Sequence, residues 1–238
     1  MVALDLNCDL GEGEAPEHTR ALMAHITSAN VACGGHAGDD ASMSLCVRLA
    51  RDFGVRLGAH PGPPNRGDFG RAAIRPTTAE LGDWVIQQAG ALERIARAHD
   101  VALHHIKLHG ALYHAAESDP ALALAFAEAM LRHFPGVKIY SLSGGLVART
   151  ARAVGIAVSE ELFADRAYLA DGRLVPRSEA NAVLSNVADV TARLEHWLRT
   201  GHMKTVDGDS LALAGQTLCV HGDTEGATTL IRAIRELL

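Results

Sequence analysis

The sequence predicts a single-domain α/β fold over residues 1–238, built on a parallel sheet. Three observations predict it. Seven short apolar, β-branched stretches alternate with longer segments of helical period; several of those stretches are almost continuously apolar; and no linker-like tract divides the chain. A strand buried on both faces reads as an apolar run, and strands joined through helices run parallel. The expected strands fall at 3–8, 29–33, 56–59, 103–108, 138–142, 157–163 and 217–220. Pattern alone fits a closed barrel and an open doubly wound sheet equally well.

The helices between them carry start signals. Thr77 and Glu80 have capping-box spacing, followed by Leu81, Trp84, Val85, Leu92 and Ile95 at helical intervals. Ser118-Asp119-Pro120 reads as a cap with proline in the first turn. Asp223 can cap a last helix whose apolar stripe is Leu230, Ile234 and Leu237, a reading that stands level with a role in the site. Asp171-Gly172 and Asp207-Gly208 are turn dipeptides that predict excursions from the repeat.

Composition narrows the function. A hydrophobic content of 48% supports a sizeable core. The net charge of -6, with Lys and Arg scattered, leaves no basic footprint for nucleic acid or an anionic membrane surface. No apolar run reaches the ~20 residues of a membrane span, and no basic-then-apolar leader opens the chain. Cys8, Cys33, Cys46 and Cys219 lack Cys-x-x-Cys spacing, which predicts reduced thiols packed as small hydrophobes in a cytoplasmic protein.

Chemistry is expected from the residues just past each strand. The first strand runs into Asn7-Cys8-Asp9-Leu10-Gly11-Glu12, the second into Gly35-His36-Ala37-Gly38-Asp39, and the third into His60-Pro61-Gly62. Later strands run into Lys107-Leu108-His109-Gly110, Asp165-Arg166 and His221-Gly222-Asp223. In a parallel sheet or barrel these ends emerge on one face, so four histidines, several carboxylates and a lysine should converge there. Such a set suits general acid–base work near neutral pH, and three imidazoles, or two with a carboxylate, also suit a divalent metal. A lysine inside an apolar strand is costly unless paired or functional, which singles out Lys107. Asp165 and Arg166 read equally well as a structural ion pair. His25, His99, His133, His196 and His202 fall in helical stretches and read as surface or packing residues. There is no Gly-x-x-x-x-Gly-Lys-[Ser/Thr] loop and no Gly-x-Ser-x-Gly elbow.

The motifs that carry these residues run in order along almost the whole chain. They are Asp5-Leu-Asn-Cys-Asp-Leu-Gly-Glu-Gly13, Ser28-Ala-Asn-Val-Ala-Cys-Gly-Gly-His-Ala-Gly-Asp39, Gly58-Ala-His-Pro-Gly62 and Asp68-Phe-Gly-Arg71, then Lys107-Leu-His-Gly-Ala-Leu-Tyr113, Glu161-Leu-Phe-Ala-Asp-Arg-Ala-Tyr168, Pro176-Arg177 and Cys219-Val-His-Gly-Asp223. Together they resemble the LamB/YcsF family, the A subunits of 5-oxoprolinases. The resemblance implies a seven-stranded (β/α) barrel of the glycoside hydrolase/deacetylase type. It also implies an ATP-dependent opening of 5-oxo-L-proline to L-glutamate, performed with partner subunits B and C.

On that resemblance, Asp9, His36, His60, Lys107 and His109 are the expected catalytic residues. Asn7, Glu12, Asn30, Asp39, Asp165, Arg166, His221 and Asp223 are the expected substrate-binding residues. Asp9 or one of His36, His60 and His109 would act as base. Lys107 would neutralise developing charge or hold the substrate carboxylate, with Arg166 a second candidate for the carboxylate. ATP would be a co-substrate, and a divalent metal is compatible with the set without being required by it. A metal-dependent deacetylase or polysaccharide hydrolase, and a non-catalytic lactam-binding subunit, are the alternative functions. The chain departs from the family pattern at Gly35, at Leu108 and across 63–67, positions expected to shape the walls of the site.

Overall fold

Strand β1 (Asp5–Leu10) alternates polar and apolar residues, and the alternation decides the barrel's design. Leu6, Cys8 and Leu10 are fully buried in an outer apolar shell with helical residues such as Leu22 and Met23. Asp5, Asn7 and Asp9 point the other way, into the barrel, because successive side chains of a strand face opposite sides. The structure, a computed structural model, describes residues 4–238; residue 3 of the first expected strand lies outside the described residues.

The strands are β1, β2 (Ser28–Ala32), β3 (Arg56–His60), β4 (Leu103–Lys107), β5 (Lys138–Leu142), β6 (Val158–Phe163) and, last in sequence, β9 (Thr217–His221). Each pairs in parallel with the next, and β9 closes onto β1 to complete a seven-stranded barrel. The expected closed (β/α) barrel is therefore the fold. Around it lie α1 (Pro16–Met23), α2 (Asp40–Phe53), α3 (Thr78–Arg97), α4 (Gly110–Ser118), α5 (Pro120–His133), α6 (Leu146–Ala153), α7 (Val187–Thr200) and α8 (Ala227–Leu237). Among the described residues, no helix is long and apolar enough to cross a membrane.

The start signals hold at two helices and fail at a third. Thr77 and Glu80 form the capping box of α3, and Asp119 caps α5 with Pro120 in its first turn. Asp223 does not cap α8. That helix starts at Gly226 in the left-handed region (φ 73), and Asp223 is instead held by Arg71 and Arg177. His202 is likewise not helical; it opens the short hairpin of β7 (His202–Lys204) and β8 (Ser210–Ala212), which turns at the Asp207-Gly208 pair. This hairpin, α7 and the bridged loops around Asp171-Gly172 form the long excursion between β6 and β9.

The barrel interior is polar, and it is layered. At the N-terminal end, Asp5 accepts hydrogen bonds from Ser28, Thr217 and, across the barrel, Tyr140. One layer up, the Asn30 amide donates to Asn7 and its carbonyl pairs with His105 Nε2 at 2.7 Å. The His105 ring lies stacked on Tyr140, centroids 3.8 Å apart. Gly58 makes room for it: a Cβ there would sit 2.1 Å from His105 Nε2, at a point where the β3–β4 register shifts. Gly58→Ala is therefore expected to displace the ring, break its bond to Asn30 and cost about 1–3 kcal/mol of stability. An unchanged urea midpoint would show that the ring is free to move.

Candidate active site

Above those layers, β1, β3, β4, β6 and β9 deliver their last inward-facing residues to the C-terminal mouth of the barrel. Lys107, at the end of β4, is 2% exposed. Its Nζ lies 2.9 Å from Asp9 Oδ1, 3.1 Å from Glu161 Oε1 and 3.0 Å from Cys219 Sγ. Burial disfavours the ammonium, but Asp9, Cys219 and Glu161 outweigh it and hold Lys107 well above its ordinary range. Burial would likewise raise Asp9; His60 and Lys107 outweigh it and keep that carboxyl well below the usual range. Glu161 is raised, by burial first, so of the two carboxyls it is the one that holds a proton more readily. The lysine in an apolar strand is thus paired.

Three histidines meet beside Asp9. His60 Nε2 is 3.3 Å from Asp9 Oδ2 and 2.9 Å from His109 Nδ1, and the His36 ring stacks flat on His109 with centroids 3.4 Å apart. Glu12, from the loop after β1, reaches His36 Nε2 at 2.8 Å. Burial, with the charges of Asp9 and Asp223, holds Glu12 well above its ordinary range. Burial and the neighbouring His60 pull His36 down to about 2, and burial also carries His109 well below the ordinary imidazole range. His36 and His109 are neutral rings.

The fourth histidine stands apart. His221 Nδ1 donates to Asp165 Oδ1 at 2.9 Å, while the His221 amide and the Thr224 hydroxyl donate to Asp165 Oδ2. Burial opposes ionisation of Asp165, but His221 and these hydrogen bonds hold its carboxyl below the usual range. The pair leaves His221 Nε2 without a hydrogen-bond partner among the described residues, on a ring that lines a cavity of about 600 Å³. Asp9, Lys107, His60 and His109 form the cavity floor, and Leu108, Tyr113, Phe163 and Leu174 supply its apolar walls. Arg71, Arg166 and Arg177 also line it. Asp223 engages Arg71 and Arg177, whereas Arg166, among the described residues, donates to the carbonyls of Ala182 and Val175 and to no carboxylate. Arg166 forms no salt bridge among the described residues, which leaves its guanidinium at the cavity wall suited to an anionic ligand.

Several expected site residues do other work. Asp39 is exposed, and its side chain accepts from the Ser42 amide as the cap of α2. Asn7 and Asn30 are fully buried beneath the floor, where Asn30 donates to Asp9 Oδ1 at 2.8 Å and so fixes its orientation. Asp165 pairs with His221 rather than with Arg166. Residues that sequence reasoning passed over stand in the site: Cys219, counted as packing, and Glu161, Arg71 and Arg177, which lie inside the quoted motifs. Cys8, Cys33 and Cys46 are, as expected, free and buried.

A closed barrel whose ionisable groups gather at the C-terminal ends of its strands defines a TIM-barrel-like protein with its site on the face where such barrels carry their chemistry. Residues 4–238 match the family model for the LamB/YcsF family. The chain is 42% identical over 236 residues to the 5-oxoprolinase A subunit of Bordetella pertussis, covering 98% of this chain and 94% of that one. It is 43% identical over 237 residues to the 5-oxoprolinase A subunit of Syntrophobacter fumaroxidans, with the same coverage. Among solved structures, the lactam utilization protein of Thermus thermophilus superposes with a TM-score of 0.89 at 36% identity, over 98% of this chain and 94% of that chain. The chain belongs to the LamB/YcsF family.

Proposed function

We propose that the chain is the A subunit of an ATP-dependent 5-oxoprolinase, acting with subunits B and C to open 5-oxo-L-proline to L-glutamate. The observation that carries this reading is the cavity itself, in a member of a family whose relatives bear that name. It holds an arginine with no salt-bridge partner among the described residues, apolar walls and two polarised pairs, Asp9–Lys107 and Asp165–His221, within a space that admits a small anionic ring. Arg166 takes the substrate carboxylate, and Leu108, Phe163 and Leu174 face the ring methylenes.

A five-membered lactam is a resonance-stabilised amide, so its carbonyl must be activated. Phosphorylation of the amide oxygen by ATP releases ADP and makes the carbon electrophilic. Water then adds, the ring C–N bond breaks as the nitrogen takes a proton, and a second water hydrolyses the resulting acyl phosphate to glutamate and phosphate. His221 is the base that takes the water's proton. Its Nδ1 hydrogen is engaged by Asp165, which leaves Nε2 as the acceptor. His60 and His109 point their inner nitrogens at each other, so they serve this step less well than His221. Lys107 offsets negative charge that develops on the oxygen. With no P-loop in the sequence, ATP turnover by the chain alone is expected to be low and to rise when B and C are added.

The test is ATP-dependent glutamate release from 5-oxoproline, with and without B and C, for the wild-type chain and for Asp9→Ala, Lys107→Ala and His109→Ala. Near-normal release from all three variants would rule the assignment out. The histidine cluster favours one other reading, a metal-dependent hydrolase, which predicts turnover of an amide or acetyl substrate without ATP.

A further inference from the structure

Glu12, His36, His60 and His109 bring four atoms that can act as ligands to one point. The Lys107 carbonyl pairs with His60 Nδ1 at 2.8 Å, and the Phe69 carbonyl with His109 Nε2 at 2.9 Å. A carbonyl only accepts, so each ring carries a hydrogen on its outer nitrogen and, when neutral, a lone pair on its inner one. Those inner nitrogens, His60 Nε2 and His109 Nδ1, face each other at 2.9 Å. Glu12 Oε1 lies 2.8 Å from His36 Nε2, 3.4 Å from His109 Nδ1 and 3.9 Å from His60 Nε2. All four residues offer ligand atoms within 4.8 Å of one another, and Asp9 Oδ2 stands 3.3 Å from His60 Nε2. Without an ion, one proton shared between His60 and His109 and a hydrogen on His36 Nε2 donated to Glu12 would have to hold these atoms together.

We propose that Glu12 Oε1, His60 Nε2 and His109 Nδ1 form a binding site for one divalent transition-metal ion of the zinc type, with the fourth position open to water. The His36 ring, stacked parallel to His109, cannot aim its lone pair at the same ion and instead donates from Nε2 to Glu12. Ligands at ~2.0–2.1 Å around a tetrahedral ion stand about 3.3 Å apart, and the separations above bracket that value. Two imidazoles and one carboxylate suit zinc, whereas calcium and magnesium favour oxygen alone. Backbone carbonyls on the outer nitrogens of His60 and His109 are the outer-shell contacts that orient metal-binding histidines. One of those carbonyls belongs to Phe69, which is held at φ 59, a conformation that costs a bulky residue of order 1–3 kcal/mol. The second convergent group, Asp9, Cys219 and His221, is a poorer site, because the Lys107 ammonium already stands beside Asp9 and Cys219. The proposal does not rest on the oxoprolinase reading, and its test needs neither substrate nor partner subunits.

The purified full chain is stripped with a chelator and reloaded with Zn²⁺ or Co²⁺. Bound ion is counted after gel filtration, and the visible spectrum of the Co²⁺ form is recorded. The expected result is about one ion per chain and the absorption bands of four-coordinate Co²⁺. His60→Ala and His109→Ala should each weaken binding at least ~100-fold, and Glu12→Gln ~10-fold or more. Circular dichroism checks that each variant is folded; if a histidine variant is not, Glu12→Gln carries the comparison. Failure of the wild-type chain to retain ion would overturn the proposal and point to a proton shared by His60 and His109. Retention that is undiminished in the folded variants would overturn it equally.

Discussion

Lys107→Ala is expected to lower stability by about 3–5 kcal/mol and to abolish glutamate release, the largest effect of any single replacement in the barrel. The loss comes from the charges left behind. Asp9 is 4% exposed and Glu161 fully buried, and without the ammonium the Asp9 charge has no cation of fixed sign beside it. Breaking a buried pair by removing one partner costs this much because the other charge remains desolvated. For a chain of this size each kcal/mol moves the melting temperature by roughly 2–4 °C, so a fall of roughly 10 °C is the expected reading. The double variant Lys107→Ala/Asp9→Asn should recover much of that stability while leaving activity lost, since it removes the stranded charge and does not restore the chemistry. If Lys107→Ala melts with the wild type, the ion pair is not what holds the floor together.

The second large effect is expected at the opposite wall. His221→Ala should reduce kcat by about 10²–10⁴-fold, the range over which a positioned general base acts, with a much smaller change in KM. Asp165→Asn should reproduce part of that loss without removing the imidazole, because the hydrogen on His221 Nδ1 would no longer face a carboxylate. It also carries a stability signature with a definite sign. The Asp165 carboxyl is depressed in the folded chain, so its contribution is present above the ordinary aspartate range and is lost as pH falls through its folded value. Asp165→Asn should therefore flatten part of the acid limb of the stability curve. Unaltered kcat in His221→Ala would transfer the base to another group on the floor.

Much of this molecule was legible in its sequence. The seven expected strands are the seven barrel strands, within a residue or two at each end, because a parallel strand needs an apolar face against its helices whatever lies on the other side. Convergence of Asp9, His36, His60, Lys107 and His109 was legible too, since residues just past parallel strands share one end of the sheet. Roles were harder to read. Asp39 and Asp223 both precede helices; Asp39 caps α2, while Asp223 is drawn away by Arg71 and Arg177, guanidinium groups far from it in sequence. Cys219 reads as a small hydrophobe in a strand until the barrel closes and brings Lys107 to its sulfur. β1 and β2 carry polar residues at every second position, yet only closure shows that this face lines the interior rather than meeting solvent.

The sequence by itself determined the elements, their parallel order and the end of the sheet at which the ionisable residues would gather, since each depends on short-range periodicity and on the direction of the chain. Tertiary structure alone decided that the sheet closes, that Lys107 is shared among Asp9, Glu161 and Cys219, and that His221 answers to Asp165 while His36 answers to Glu12 and His60 to Asp9 and His109. Those pairings depend on distances between strands that do not follow one another in sequence. A charge buried in a barrel takes its partner from whatever lies across the axis, and only the closed structure sets what that is.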